Sequence, residues 1–146
     1  LPRHQRMTKL MQHNAGKESQ ETYAQVLACV GRTPNTAHLG LETTAVKVSE
    51  KGFIAVNSKR CTAAGNIFAI GDITEGPMLA HKASFEAKVA ADVAAGYGTN
   101  FDPACIPAVV FTDPELAWCG MTEQEARAQG LDAVVAKLPW AASSRS

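Results

Sequence analysis

The chain has 146 residues, of which 46% are hydrophobic, and its 14 Lys and Arg residues balance its 14 Asp and Glu residues. A net charge of zero gives no electrostatic footprint for nucleic acid or for an anionic membrane surface, so we expect neither as a partner. No apolar run approaches the ~20 residues that a membrane span needs, and the N-terminal residues lack the apolar core of a secretory signal, so we expect a soluble chain.

The first third of the chain predicts a polar segment, a buried strand and a hairpin. Residues 1–23 are rich in Lys, Gln and His without clear periodicity, which predicts an exposed or frayed segment with no motif. Residues 25–31 (QVLACVG) form a continuous apolar run, which is typical of a strand buried on both faces. Residues 45–48 and 53–56 are β-prone runs on either side of a turn, which predicts a hairpin.

The segment NIFAIGDITEGPMLAHKASFE, residues 66–86, contains the candidate ligand site. The apolar residues 67–70 predict a strand that ends at Gly71 and Asp72, and open α/β sheets bind their ligands at the carboxyl edge of the strands. The Asp72 carboxylate either accepts a hydrogen bond from a sugar or ribityl hydroxyl or caps the following turn. The spacing alone leaves both interpretations open.

A helix is predicted over residues 78–95, with Pro77 in its first turn because the fixed φ of proline suits that position. The backbone N–H groups of Met78, Leu79 and Ala80 would then face whatever lies in front of the helix. Such a helix start stabilises a nearby anion by about 0.3 to 1 kcal/mol. We therefore expect this helix start to contribute to the ligand site.

The remainder of this helix is interpreted as carrying no site. Opposite charges four residues apart, Lys82 with Glu86 and Lys88 with Asp92, are taken to mark its solvent side. Gly96 is interpreted as the helix stop. Small side chains recur at helical spacing and leave a narrow face that another segment can approach closely: Ala83, Ala87, Ala90 and Ala94.

The last forty residues or so predict the beginning of a further domain. Residues 106–112 predict a strand, and Thr122-x-x-Glu125 is a capping box that predicts a short helix ending at Gly130. Residues 131–138 predict another strand. One helix and at most two strands leave a sheet edge and an apolar face that need a partner, so we expect a truncated polypeptide.

The four cysteines predict no metal site. Cys29, Cys61, Cys105 and Cys119 are too far apart in the sequence for a Cys-x-x-Cys pair or for a zinc-binding spacing. Cys29 lies within an apolar run, where a free cysteine is usually a small buried hydrophobic residue. No metal ligand is therefore assigned.

FAIGD, followed by GPMLAHKA, resembles the second FAD-binding motif of the dihydrolipoamide dehydrogenases, within the FAD-dependent pyridine nucleotide-disulfide oxidoreductases. The resemblance covers roughly residues 24–145 and continues, in the same order, through four further segments: LACVGRTPN (27–35), EKGFIAV (50–56), IPAVVFTDPELAWCGMTEQEA (106–126) and LPWAASSR (138–145). The resemblance implies an α/β fold, namely part of a doubly wound FAD/NAD(P)-binding fold followed by the start of an α+β dimer-interface domain. It assigns residues 1–35 to the end of the NAD-binding domain, 36–105 to the central domain and 106–146 to the truncated dimerisation domain.

The resemblance also implies a set of cofactor contacts. Asp72 would bind the ribityl chain of FAD, and the backbone at Leu79 and Ala80 would face the N1 and O2 edge of the flavin, whose reduced form is an anion. His81 is assigned no proton chemistry. Gly31, which is otherwise a plain turn glycine, would let the backbone approach NAD. The predicted cofactor-binding residues are Gly31, Gly71, Asp72, Met78, Leu79, Ala80 and His81.

For the complete enzyme, the resemblance implies oxidation of protein-bound dihydrolipoamide through a disulfide and FAD, with reduction of NAD+. It implies a homodimer that serves the lipoyl domain of a 2-oxoacid dehydrogenase complex, and we expect it in a bacterial cytoplasm rather than in a mitochondrion. The chain has no Cys-x4-Cys pair and no G-x-G-x-x-G fingerprint, so we assign no catalytic residue and expect the segment alone to be inactive.

Two alternatives stay open. One is another FAD-dependent disulfide reductase or a transhydrogenase, because GRTPN and FAIGD occur across that wider group; the run Met78-Leu79-Ala80-His81 argues against it. The other is a non-catalytic module that binds a nucleotide or a partner. Retention of flavin separates this second alternative from the enzymes.

Overall fold

The computed structural model describes residues 8–139 and 142. Contacts divide the chain into two units, Leu1–Thr33 and Pro34–Ser146, and each is described by itself. The first part of the predicted frayed segment, residues 1–7, lies outside the described residues, as does most of the LPWAASSR segment.

The first unit contains an antiparallel hairpin of two strands, β1 (Thr8–Asn14) and β2 (Lys17–Tyr23). Ala15 and Gly16 join the strands with φ angles of 48° and 78°, and two positive φ angles are typical of the tight turns that favour hairpins. The predicted exposure is confirmed for β2, but fraying is wrong for residues 8–23, which form a paired hairpin. The hairpin was not predictable from hydrophobic alternation, because every residue of β2 is exposed and no buried face requires an apolar residue at every second position.

The predicted buried strand at residues 25–31 is also wrong. These residues form no helix or strand, and the side chains of Leu27 and Val30 are 87% and 92% exposed. Cys29, predicted to be buried, is exposed as well. A strand buried on both faces needs hydrogen-bonded neighbours and covering layers. The described part of this unit provides only β1 and β2, which pair with each other.

The second unit begins with a 3-10 turn at Leu41–Thr43, and extended segments that pair through single bridges follow it. Val48 pairs with Ile54, so the predicted hairpin is confirmed, although it is too short to form a ladder. The strand predicted at residues 67–70 is reduced to a single antiparallel bridge, in which Phe68 pairs with Cys61. This segment leads into a single 3-10 turn at Gly71–Ile73, whose Ile73 carbonyl accepts a hydrogen bond from the Ile54 N–H group at 2.8 Å. The core includes three buried side chains: Ile54, Ala69 and Val89.

The helix α1 spans Ala80–Ala94, so it begins two residues later than predicted. Leu79 is the extended N-cap residue, and its N–H group donates to the Pro77 carbonyl at 3.0 Å. The placement of Pro77 in the first turn is therefore wrong, and the Leu79 N–H group does not face outward. The helix ends before Gly96, whose φ of 92° suits the predicted stop.

The C-terminal part contains a second hairpin and a short helix. The strand β3 (Ala108–Val110) is shorter than predicted and pairs with β4 (Leu116–Trp118), and α2 follows at Glu123–Ala128. The predicted capping box is present in full. The predicted strand at 131–138 is wrong, because these residues find no neighbouring strand within the described chain, and Val134 is 98% exposed.

Candidate functional site

A buried ion pair lies within the candidate ligand segment, residues 66–86. The side chains of Lys82 and Glu86 are 1% and 0% exposed, and Lys82 Nζ lies 3.2 Å from Glu86 Oε2. The interpretation of this pair as the solvent side of α1 is therefore wrong. Spacing by four residues identifies a shared face of a helix but not the environment of that face. Val89, which is fully buried, continues the same face one turn later and was the available signal.

Neighbouring polar groups hydrogen-bond to both members of this ion pair. Lys82 Nζ donates to the Gly71 carbonyl at 3.0 Å and to Thr74 Oγ1 at 3.1 Å, in addition to Glu86. The Glu86 carboxylate accepts from the Gly71 N–H group at 2.6 Å and from Arg60 Nη1 at 3.0 Å. A lysine ammonium has three donors, and all three are used. We call these five residues the Glu86 cluster.

Arg60 connects the Glu86 cluster to a pair of aromatic side chains. Its guanidinium lies 4.5 Å from the centre of the Phe101 ring, a distance at which the ring face attracts a cation. The Phe101 ring in turn packs against Phe85, with 5.1 Å between the ring centres. The Nε atom of Arg60 is buried and has no hydrogen-bond partner among the described residues. The ion pair with Glu86 and the contact with the Phe101 ring together fix the position of the guanidinium.

Gly71 is the point where the Glu86 cluster holds the backbone. Both its N–H and its carbonyl group are bonded to the cluster, and its φ is 77°, a conformation that favours glycine. A Cβ atom at this position would lie 3.3 Å from the Cβ of Ala83. The small side chain of Ala83 thus permits the close approach that the sequence predicted for this face of α1.

Asp72 follows Gly71 and is exposed. Its carboxylate has no hydrogen-bond or ion-pair partner in the part of the chain that the structure describes. The cap of the 3-10 turn is Ile70, which makes no side-chain cap bond, so the interpretation of Asp72 as a cap is wrong. The carboxylate is therefore available to a ligand.

The start of α1 presents unpaired backbone donors. Leu79 makes no side-chain cap bond, and within the described ranges the N–H groups of Ala80, His81 and Lys82 have no acceptor. The donors at this end are thus those of residues 80–82 rather than 78–80. Unpaired N–H groups at a helix start carry partial positive charge and attract anions. An anionic group is therefore the chemical match for this end of α1.

His81 is exposed and ties the start of α1 to the segment before β3. Its Nε2 atom lies 2.7 Å from the Pro107 carbonyl. Because a carbonyl oxygen only accepts, Nε2 carries the proton in this contact. His81 also lines an apolar cavity of about 480 Å³ together with Trp118 and Val109. The ring therefore has a positioning hydrogen bond that the sequence did not reveal.

Gly31, the predicted NAD contact, belongs to the first unit. It is exposed, its φ is 77°, and a Cβ atom built on it would meet nothing within 4 Å.

In the described residues, no cluster of three or more His, Cys, Asp or Glu side chains is placed to hold a metal ion. Neither α1 nor α2, the helices described here, has the length and apolar content that crossing a membrane requires.

Comparisons with known proteins agree over most of the chain. Residues 3–87 match the pyridine nucleotide-disulphide oxidoreductase family, and residues 106–146 match its dimerisation domain. Dihydrolipoyl dehydrogenase of Geobacillus stearothermophilus is 52% identical over 83% of this chain and 26% of its own length. The mitochondrial dihydrolipoyl dehydrogenase of Rattus norvegicus is 42% identical over 91% of this chain and 26% of its own length. The chain thus spans about a quarter of these curated relatives.

Solved structures give the same grouping. The HOCl-induced flavoprotein disulfide reductase RclA from Escherichia coli superposes with a TM-score of 0.79 at 32% identity, over 97% of this chain and 32% of that one. LpdA from Mycobacterium tuberculosis superposes with a TM-score of 0.70 at 29% identity, over 78% of this chain and 25% of that one. These likenesses give the fold class as part of the FAD/NAD-binding fold followed by a dimerisation domain. The chain belongs to the pyridine nucleotide-disulphide oxidoreductase family.

Proposed function

We propose that this chain is part of a dihydrolipoyl dehydrogenase, an enzyme that oxidises protein-bound dihydrolipoamide through a disulfide and FAD and reduces NAD+. The observation that carries the proposal is the identity of 42 to 52% to curated dihydrolipoyl dehydrogenases from bacteria and from a mammal. The flavin disulfide reductase RclA shares less sequence, at 32% identity. The activity is that of the whole enzyme, and no catalytic residue is assigned to this chain.

In this proposal, Gly71, Asp72 and residues 78–81 bind the flavin end of FAD. The Glu86 cluster fixes the backbone of Gly71, and the neighbouring Asp72 carboxylate accepts a hydrogen bond from a ribityl hydroxyl. Met78 forms the turn before the extended Leu79, and the free N–H groups of Ala80 and His81 face negative charge on the flavin ring. When bound, FAD supplies the electron-transfer chemistry, and these residues supply its position and electrostatic environment.

The remaining assignments concern partners and domains. We assign residues 1–35 to the end of the NAD-binding domain, with Gly31 near NAD, residues 36–105 to the central domain and residues 106–146 to a homodimer interface. The match of residues 106–146 to a dimerisation domain supports the last assignment. The lipoyl domain of a 2-oxoacid dehydrogenase complex is the proposed substrate carrier. A bacterial cytoplasmic location is favoured by the higher identity to bacterial relatives.

Substrate preference tests the proposed activity. The full-length protein, loaded with FAD, is assayed with dihydrolipoamide and NAD+ and, separately, with glutathione disulfide and NADPH. We expect kcat/KM for dihydrolipoamide to exceed that for glutathione disulfide by orders of magnitude. The opposite preference would replace the proposal with a glutathione-type reductase.

FAD affinity tests the proposed site. Because a hydrogen bond to a charged group contributes about 1.5 to 3 kcal/mol, Asp72→Ala in the full-length protein should weaken FAD binding by about 10- to 150-fold. Glu75→Ala is the matched control, since Glu75 is an exposed carboxylate three residues further along the same loop. Equal FAD affinity of the two variants would remove Asp72 from the site.

A further inference from the structure

Two exposed cysteines lie in contact at the open end of the second hairpin. The Sγ atoms of Cys105 and Cys119 are 2.7 Å apart, although the residues are 14 positions apart in the sequence. Both are free thiols in this structure. Two unbonded sulfur atoms at this distance are inside van der Waals contact, so the two thiols already lie close to bonding range.

The register of the hairpin explains why these two residues meet. Ala108 pairs with Trp118 at the end of the β3–β4 ladder, and Cys119 directly follows Trp118. Gly120 then turns the chain with a φ of 78°, and a Cβ atom built on it would lie 3.7 Å from the Cβ of Cys105. The strand pairing therefore places the residues after β4 next to Cys105.

We propose that Cys105 and Cys119 form a reversible disulfide by exchange with a small-molecule disulfide such as oxidised glutathione. The thiolate of one cysteine attacks a sulfur of the small disulfide and releases one small thiol, which leaves a mixed disulfide. The second cysteine loses its proton and attacks the protein sulfur of the mixed disulfide, which releases the second small thiol. The protein gives up two electrons and two protons, and the small disulfide takes them up as two thiols.

Access for the small disulfide is provided on the side of Cys119. Cys119 lines the apolar cavity of about 480 Å³ that also contacts His81 and Trp118. The other cysteine of the second unit, Cys61, has its Sγ atom 3.7 Å from the Lys59 carbonyl. In the described part of the chain, no second thiol is recorded beside it, so Cys61 serves as an internal control. This proposal does not depend on the proposed enzyme activity.

Peptide mapping of the full-length protein tests the proposal. The native protein is incubated with oxidised glutathione, its remaining thiols are alkylated under denaturing conditions, and it is digested with trypsin. No Lys or Arg separates the two cysteines, so both fall in the peptide of residues 89–127. We expect this peptide to lack both alkyl groups and to be about 2 Da lighter than its reduced form, with dithiothreitol restoring alkylation.

Single variants distinguish a disulfide from separate modifications. In Cys105→Ser, we expect Cys119 to carry glutathione, because no second thiol resolves the mixed disulfide, whereas Cys61→Ser should leave the bridged peptide unchanged. Full alkylation of residues 89–127 after oxidation would overturn the proposal. The same applies if the wild-type peptide carries two separate glutathione groups.

Discussion

The buried ion pair of Lys82 and Glu86 gives the sharpest mutational prediction. Lys82→Met keeps an unbranched apolar stem, one atom shorter than that of lysine, and removes an ammonium group that is 1% exposed and that donates to Gly71, Thr74 and Glu86. Removing one partner of a buried pair costs about 3 to 5 kcal/mol, because the other charge stays buried. Glu86 retains Arg60 and the Gly71 N–H group, so we expect a loss of about 3 kcal/mol in the free energy of unfolding.

The assay is denaturant-induced unfolding of the full-length protein, and the control is a second substitution on the same helix. Lys88→Met changes an exposed lysine of α1 and should alter the unfolding midpoint by far less than Lys82→Met does. The double variant Lys82→Met/Glu86→Gln removes both charges and should be less destabilised than the sum of the single variants, with a coupling of about 0.5 to 3 kcal/mol. Equal midpoints for Lys82→Met and Lys88→Met would refute the reasoning.

Three further predictions concern other parts of the chain. Gly71→Ala and Gly65→Ala both place a Cβ at a φ above 70°, at a strain of about 1 to 2 kcal/mol. Only the Cβ at Gly71 meets a neighbour within 4 Å, so only Gly71→Ala should weaken FAD binding in a flavin titration. The backbone N–H and the hydroxyl of Thr122 lower the pKa of Glu125. The stabilisation of α2 by the Glu125 carboxylate is therefore present above the ordinary carboxyl pKa and is lost as the pH falls through the lowered pKa. An NMR titration of Thr122→Ala should show a higher Glu125 pKa, and an unchanged pKa would contradict the capping role. The hydrogen bond with Cys105 raises the pKa of Cys119; Cys105→Ala should therefore speed alkylation of Cys119 at mildly alkaline pH, and identical rates would exclude the contact.

The sequence predicted the parts of the fold that depend on local chemistry. The capping box at Thr122 and Glu125, the stop at Gly96 and the body of α1 each follow from side chain–backbone preferences within a few residues, and the structure confirms them. The start of α1 shifted by two residues, because Leu79 stays extended and its N–H group bonds to Pro77.

Features that depend on tertiary contacts could not be predicted from the sequence pattern. The burial of Lys82 and Glu86 requires Gly71, Thr74 and Arg60, which approach α1 from other segments of the chain. An opposite-charge pair at helical spacing has the same sequence signature on an exposed and on a buried face, so only the three-dimensional packing decides between them. The assignment of Asp72 to FAD came from a motif rather than from spacing, and it stays a prediction.

The most direct test of the account is the rate at which the purified full-length protein reduces NAD+ with dihydrolipoamide, measured for the wild type and Asp72→Ala with and without added FAD. The account predicts an active wild type and a variant whose activity is low as purified and recovers at saturating FAD. A flavin-loaded wild-type protein that fails to oxidise dihydrolipoamide would contradict the proposed function. A variant that is fully active without added FAD would contradict the proposed role of Asp72.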